Sequence, residues 1–331
     1  MSPWGGAVPD AIGARLALPL IAAPMLRVSG PDLVAAACRA GVVGAFPTKN
    51  ARTAAELDAW LGDIRARLAD TDGRAAPFCP NLIMRDTRLM EDLASVARHG
   101  AEMVITSVGS PAPAVGALHD AGCLVLADVA TLRHAQLAVE AGADGLILLT
   151  AGAGGQTGWL NPFAFVRAVR AMFEGIIVLA GGVSDGRSLA AARVLGCDLA
   201  YMGTRFIATS ESLASDAYRA MLVSASMDDV MLTSSFTGLP ANMLAPSIAA
   251  AGLDPKRLDE SMSEARARAS FGAGADEPKR WTDIWSAGHT VSGVTRIQTV
   301  RELVDKTRAE FEATLRAPSP SPRPARARAP R

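Results

Sequence analysis

The chain has no excess charge of either sign: 33 lysines and arginines balance 33 aspartates and glutamates over 331 residues. A field able to gather a polyanion is therefore missing, and nothing global points to nucleic acid or an anionic membrane as partner. Cysteine is scarce. Cys38, Cys79, Cys123 and Cys197 form no CxxC pair and no Cys/His cluster at metal-ligand spacing. No metal site is expected, and the four read as reduced thiols in or beside apolar stretches, which suits a cytoplasmic setting. No run of about 20 apolar residues occurs, so no membrane span is expected. Pro19 and Pro24 interrupt the apolar run near the N-terminus and no basic stretch precedes it, so no signal peptide is read. Lysine occurs only at Lys49, Lys256, Lys279 and Lys306; with arginine and alanine abundant, that scarcity is compositional.

What is present is hydrophobic mass, half of all residues, and a rhythm. Apolar runs of strand length alternate with Ala/Leu/Arg segments of helical period. The runs are Leu20–Met25, Val42–Pro47, Pro77–Met84, Met103–Val108, Cys123–Val129, Gly145–Thr150, Ile176–Ala180 and Leu199–Gly203. Helices are expected between them, at about 31–41, 53–69, 88–99, after Pro111, 131–141, from Asn161-Pro162, 185–195 and 211–223. Strands buried on both faces read as continuous apolar runs, as these do. Eight strand–helix units of about 25–30 residues satisfy a closed TIM-type (β/α)8 barrel of the α/β class, over 15–224. An open doubly wound sheet is the competing architecture, but no GxGxxG follows the first run.

The rhythm breaks after Ser224. Residues 225–298 show no strand alternation and predict a small helical subdomain or lid; 299–315 predict a last helix. The Pro/Arg-rich tail, 316–331, has too little apolar surface to pack and reads as disordered.

In such a barrel the active site forms where the strands end. Those positions hold neutral, hydrogen-bonding residues, with no carboxylate pair and no Ser-His-Asp arrangement. Gly181-Gly182 after the seventh run and Gly203-Thr204 after the eighth let the backbone approach a ligand, and the helix N-termini behind them are expected to add free donors for a phosphate. Ser184 and Asp185 read as N-caps. The loop Ala151-Gly152-Ala153-Gly154-Gly155-Gln156-Thr157-Gly158 carries four glycines, read as room for a flat ligand against the backbone. Asn81 offers donors and an acceptor to a ligand or a turn. Lys49 attracts an anionic substrate or is a surface lysine. Asp128 orients a ligand or caps the helix near Thr131. His99 and His119 fall at helix C-termini, where a dipole interaction explains them; His134 reads as structural. His289 is a candidate substrate contact over the barrel mouth.

The ordered set APM at Ala23-Pro24-Met25, Asn81, AGAGGQTG, LAGGVSDG and YMGTRF resembles the nitronate monooxygenase family, once called 2-nitropropane dioxygenases. The resemblance runs from about residue 15 to 310, and WTDIWSAGHTV is similar to the family's small helical domain. It implies FMN held without a covalent bond: Gly181, Gly182, Gly203 and Thr204 at the phosphate, Ala23, Pro24 and Met25 near the ring, Asn81 and Gly154 at other flavin contacts. It also implies oxidation of alkyl nitronates with O2 to a carbonyl compound and nitrite. The family's loop usually reads AGGH, with the histidine as candidate base; Gln156 stands there here. Glutamine is no general base near neutral pH, so preformed nitronates are the expected substrates and neutral nitroalkanes poor ones. Similar scaffolds serve NAD(P)H-dependent reductases of quinones or enoyl thioesters, and a non-catalytic flavin-binding protein or a flavin-free sugar-phosphate barrel are further alternatives.

Overall fold

A computed structural model describes residues 6–272 and 278–316. The barrel strands are β1 (Leu20–Ala22), β2 (Val43–Pro47), β3 (Phe78–Ile83), β4 (Met103–Ser107), β5 (Leu124–Val129) and β6 (Gly145–Leu149). A two-residue strand outside the barrel, β7 (Gly155–Gln156), comes next, then β8 (Ile176–Ala180) and β9 (Leu199–Met202) close the ring. Each barrel strand pairs in parallel with the next, and β9 returns to β1 with Leu20 opposite Ala200. The open-sheet alternative is thereby excluded.

Side-chain alternation divides the core. Inward residues such as Val43, Cys79, Ile105, Leu126, Ile147, Val178 and Tyr201 fill the barrel, while Phe46, Leu82, Val104 and Val125 face the surrounding helices. Val8, Ile12 and Leu16 join the inward cluster beside Ala76, Met103, Ile176 and Leu199, at the N-terminal ends of the strands. The bottom of the barrel is thus plugged with side chains, and open volume remains at the top. All four cysteines are buried free thiols.

The helices start where polar caps stand. Thr53, Thr131, Asn161, Asp185 and Ser215 each accept from a backbone N–H in the first turn. After β9 a short helix, Thr204–Ile207, intervenes, and the next begins at Asp216 rather than near 211. The last helix, Val300–Arg316, lies on Gly186–Leu195. Their approach is so close that a Cβ on Gly186 would stand 2.1 Å from the Phe311 nitrogen. The tail beyond Arg316 lies outside the described residues. Among the described residues no helix is long and apolar enough to cross a membrane.

The segment after the barrel is not purely helical, contrary to its sequence. Strands β10 (Val230–Thr233) and β11 (Ala241–Leu244) form an antiparallel hairpin, and β11 pairs on its other edge with β7. The reason is tertiary. Two residues of the glycine-rich loop supply a partner edge that local sequence does not announce, and the resulting three-stranded sheet ties this segment to the barrel mouth.

Candidate active site

A cavity of about 930 Å³ opens at the C-terminal ends of the strands, within the size range of ligand pockets. Its floor consists of inward residues at the strand tops. The Ser107 hydroxyl on β4 donates to Asn81 Oδ1 on β3 at 2.9 Å, leaving the Asn81 amide group to donate. Asp128 on β5 and Tyr201 on β9 line the same floor. Asp128 Oδ1 and the Tyr201 hydroxyl are both out of reach of solvent and without a hydrogen-bond partner. Burial pushes the Asp128 carboxyl up to about 7, because removing water disfavours the charged form. Burial, together with the nearby Asp128, raises the Tyr201 phenol well above its ordinary range. Asp128 does not cap the helix at Thr131, whose own hydroxyl takes that role.

The two glycine turns differ in what they require. Gly181 has φ +122°, and a Cβ there would meet Thr150 Oγ1 at 2.5 Å. Gly182 has φ +79°, and a Cβ there would meet nothing within 4 Å. Gly181 is therefore demanded by protein packing, and Gly182 presents bare backbone to open space. Gly203 and Thr204 line the cavity from β9, and the Thr204 hydroxyl accepts from the Gly288 backbone. The helix after β8 contributes less than its position suggests. Asp185 Oδ1 takes the Ser188 N–H and Glu310 takes the Gly186 N–H, so these two first-turn donors are consumed by the protein. Asp185 is the N-cap, as expected, while Ser184 joins only through its backbone N–H, which donates to the Ser188 hydroxyl.

The glycine-rich loop also serves packing first. A Cβ on Gly154 would lie 2.7 Å from the Gly288 nitrogen, one on Gly152 2.7 Å from His289 Nδ1, and one on Gly158 2.1 Å from the Leu149 carbonyl. The loop is glycine-rich because other backbone crosses it closely, which corrects the expectation that a flat ligand alone required it. It is fixed further by Asn242, whose amide donates to the Ala153 carbonyl at 2.7 Å. Gly152, Ala153, Gly154 and Gly155 still face the cavity, and so does Gln156, held in β7 opposite Ala241.

On the opposite wall, the Pro24–Val28 loop is pinned by Asn50. Its amide donates to the Met25 and Ser29 carbonyls, and its oxygen accepts from the Arg27 N–H. That clamp holds Arg27 at φ +64°, a conformation that side chains rarely adopt unaided. Ala23, Pro24 and Met25 therefore line the cavity, and the strand stops at Ala22 instead of Met25.

Lys49 lines the cavity but is bound at 2.8 Å to Asp86. Although burial opposes ionisation of Asp86, hydrogen bonds from Lys49 and from the Arg88 backbone hold its carboxyl below the ordinary range. The charge of Lys49 is thus largely compensated. His289 lies outside the cavity lining, exposed, with its ring against Gly152 and its N–H on the Gly152 carbonyl; the geometry gives no support to a substrate contact. His99 and His119 bond Asp58 and Asp144, and no histidine lines the cavity.

Several lining residues gave no sequence signal. Trp281, Trp285 and Tyr218 roof the mouth. Tyr218 stacks on Trp285 with ring centroids 5.0 Å apart and donates its hydroxyl to the Ser286 carbonyl. Arg268, Lys279 and Arg280 add positive charge to the wall, with Arg268 close enough to depress Arg280, after burial, below its ordinary range. Tyr218 sits on the barrel's own helix Asp216–Ser224, whereas the others come from the later segment, which the β7–β11 pairing ties to the barrel mouth.

A closed parallel barrel with an open, polar-floored mouth and bare glycine turns after its last two strands defines an enzyme barrel suited to a phosphate-bearing cofactor. The comparisons carry this further: the chain belongs to the nitronate monooxygenase family, whose model matches residues 84–310. The family's members are flavin-dependent oxidoreductases, and this chain is an enzyme of that kind. It is 27% identical to a nitronate monooxygenase of Paraburkholderia phytofirmans, covering 80% of this chain and 89% of that protein. It is 28% identical to the (3aS,4S,5R,7aS)-5-hydroxy-7a-methyl-1-oxo-octahydro-1H-indene-4-carboxyl-CoA dehydrogenase of Mycobacterium tuberculosis, covering 68% of this chain but 62% of that enzyme. Among solved structures, the nitroalkane oxidase of Streptomyces ansochromogenes superposes with TM-score 0.77 at 24% identity, over 92% of this chain and 99% of that one. FabK of Thermotoga maritima superposes with TM-score 0.74 at 22% identity, over 92% of this chain and 96% of that one. At that identity the two structures speak for the fold alone.

Proposed function

We propose that this chain binds FMN without a covalent bond in the barrel mouth and oxidises preformed alkyl nitronates with O2 to a carbonyl compound and nitrite. One observation carries the reading. The nine residues that the resemblance puts at the cofactor line a single cavity, Asp128 and Gln156 line it with them, and no histidine does.

The residues present fit such a cofactor. Gly182 leaves backbone bare toward open space, Gly203 and Thr204 face it from the neighbouring strand, and the floor holds polar atoms that lack partners. Bound flavin supplies the electron-transfer chemistry. The chain contributes binding, charge placement and exclusion of water. Gln156 donates to or accepts from a substrate oxygen but takes no proton, so the substrate has to arrive as an anion. Arg268, Lys279 and Arg280 favour that anion, a task that Lys49, bound to Asp86, is poorly placed to perform. The roof of Trp281, Trp285 and Tyr218 limits water over the site.

Oxygen uptake and nitrite release by the FMN-loaded protein test the reading. Rapid uptake is expected with a preformed nitronate, and uptake at least tenfold slower with the neutral nitroalkane. Absence of uptake with the nitronate overturns it. A second reading, an NAD(P)H-dependent reductase of quinones or enoyl thioesters, draws support from the cavity's volume of about 930 Å³ and from the carboxyl-CoA dehydrogenase among the relatives. Rapid anaerobic bleaching of the flavin by NADPH or NADH would favour it.

A further inference from the structure

We propose that Asp128 and Tyr201 form a two-donor floor that grips an acceptor atom of the bound cofactor's ring, with the Asp128 carboxyl held as the neutral acid, so that binding of the cofactor takes up a proton. The inference rests on the flavin reading and adds what this chain's own floor does.

Two residues of the barrel, one on β5 and one on β9, line the same cavity, and each carries a buried polar atom without a partner. Buried polar atoms are nearly always paired in native proteins, so two orphans lining one cavity point to a ligand atom that completes them. They do not complete each other, since neither Asp128 Oδ1 nor the Tyr201 hydroxyl has a partner. The adjacent polar residues of the floor, Asn81 and Ser107, are already bonded to one another.

The surroundings decide the protonation state. Cys79 on β3 and Tyr201 on β9 face Asp128, and burial holds both well above their ordinary range, so both stay neutral. The charged groups around the cavity are Arg27, the pairs Lys49–Asp86 and Arg85–Glu264, and the trio Arg268, Lys279 and Arg280. None of them offsets the burial of Asp128, which alone sets its carboxyl near 7. A carboxylate only accepts hydrogen bonds, whereas the acid donates one. A flat ring whose acceptor atom meets this floor therefore selects the acid and raises its proton affinity further. The Tyr201 hydroxyl supplies the second donor. No bond to carbon forms or breaks; one proton moves from solvent to the Asp128 carboxyl.

The test is calorimetry of FMN binding to the apoprotein in buffers of different ionisation heat. Near pH 8 the wild type is expected to take up close to one proton per FMN, and its affinity to fall by about tenfold per pH unit above neutrality. The ligand's phosphate is already ionised there, its second pKa lying near 6. D128N, whose amide donates without titrating, is expected to bind FMN with no proton uptake and no pH dependence over that range. Y201F should keep the proton uptake and lose affinity several-fold. Equal proton uptake by wild type and D128N overturns the proposal while leaving the flavin reading intact. Failure of the wild type to bind FMN overturns both. Should D128N not fold, the FMN-binding infrared difference spectrum of the wild type near pH 8 decides: a protonated-carboxyl band that appears on FMN binding supports the donor, and no such band refutes it.

Discussion

The barrel and the segment that follows it are built on opposite principles. In the barrel each strand meets the strand one unit away in sequence, and the same short apolar run recurs eight times. In 225–298 the decisive contact joins β11 to β7, across some 85 residues of chain. The first kind of structure repeats a local pattern. The second depends on a partner that exists only once the barrel has folded. The barrel thus supplies the polar floor, the glycine turns and Tyr218, and the later segment supplies the two tryptophans of the roof and the cationic wall.

Substitutions at the seam between the two regions should have the largest effect. Gly158→Ala places a Cβ 2.1 Å from the Leu149 carbonyl, a clash with backbone, and is expected to cost roughly 3 kcal/mol or more in urea unfolding. Gly182→Ala, with open space around it but φ +79°, should cost only about 1–2 kcal/mol, yet weaken FMN binding. Equal stability losses for the two would break the distinction between packing glycines and ligand-facing ones.

Tyr218→Ala removes the stack on Trp285 and the bond to Ser286 and should cost about 3 kcal/mol. Hydrogen exchange should show 280–290 losing protection while the barrel strands keep theirs. Loss of protection in both together would mean that the roof and barrel unfold as one.

Asp128→Asn acts on the barrel floor alone, and its sign depends on pH. In the folded apoprotein the carboxyl stays protonated up to about 7, whereas the unfolded chain releases that proton near 4. Stability of the wild type therefore falls as pH rises between those values and levels off above them. The neutral amide escapes this penalty. D128N should match the wild type near pH 4 and exceed it at pH 8 by on the order of 3 kcal/mol, read from thermal unfolding of the apoproteins at the two pH values. A constant difference across that range would show that Asp128 does not titrate as described.

Gln156→His should change stability least, within about 1 kcal/mol, since residue 156 is half-buried in a two-residue strand. Turnover of neutral nitroalkanes should nevertheless rise by about tenfold or more, through a restored base. No rise would argue that residue 156 does not reach the substrate.

Much of the site was legible because strand ends are where local sequence and function coincide. Ala23-Pro24-Met25, Asp128, Gly181-Gly182 and Gly203-Thr204 each lie at or just after the end of an apolar run, Asn81 is the polar residue within one, and all reach the cavity. Lys49 was placed near the mouth with two roles left open, and its pairing with Asp86 gave no local signal because Asp86 comes from a different βα loop. Tyr201 was passed over as one more apolar strand residue. The hairpin left only a faint trace, two four-residue stretches with three apolar residues each on either side of 234–240, and β7 left none, since Gly155-Gln156 has no strand preference of its own.

Sequence alone determined the eightfold barrel and the groups at its strand ends, because a parallel strand buried on both faces must be apolar and its exit must be polar or glycine. Tertiary structure alone decided which glycines serve packing and which face open space, which cation is spent on a neighbour, and that Asp128 and Tyr201 lie unpaired on one floor. Those outcomes depend on distances between segments far apart in the chain, and no local pattern encodes them.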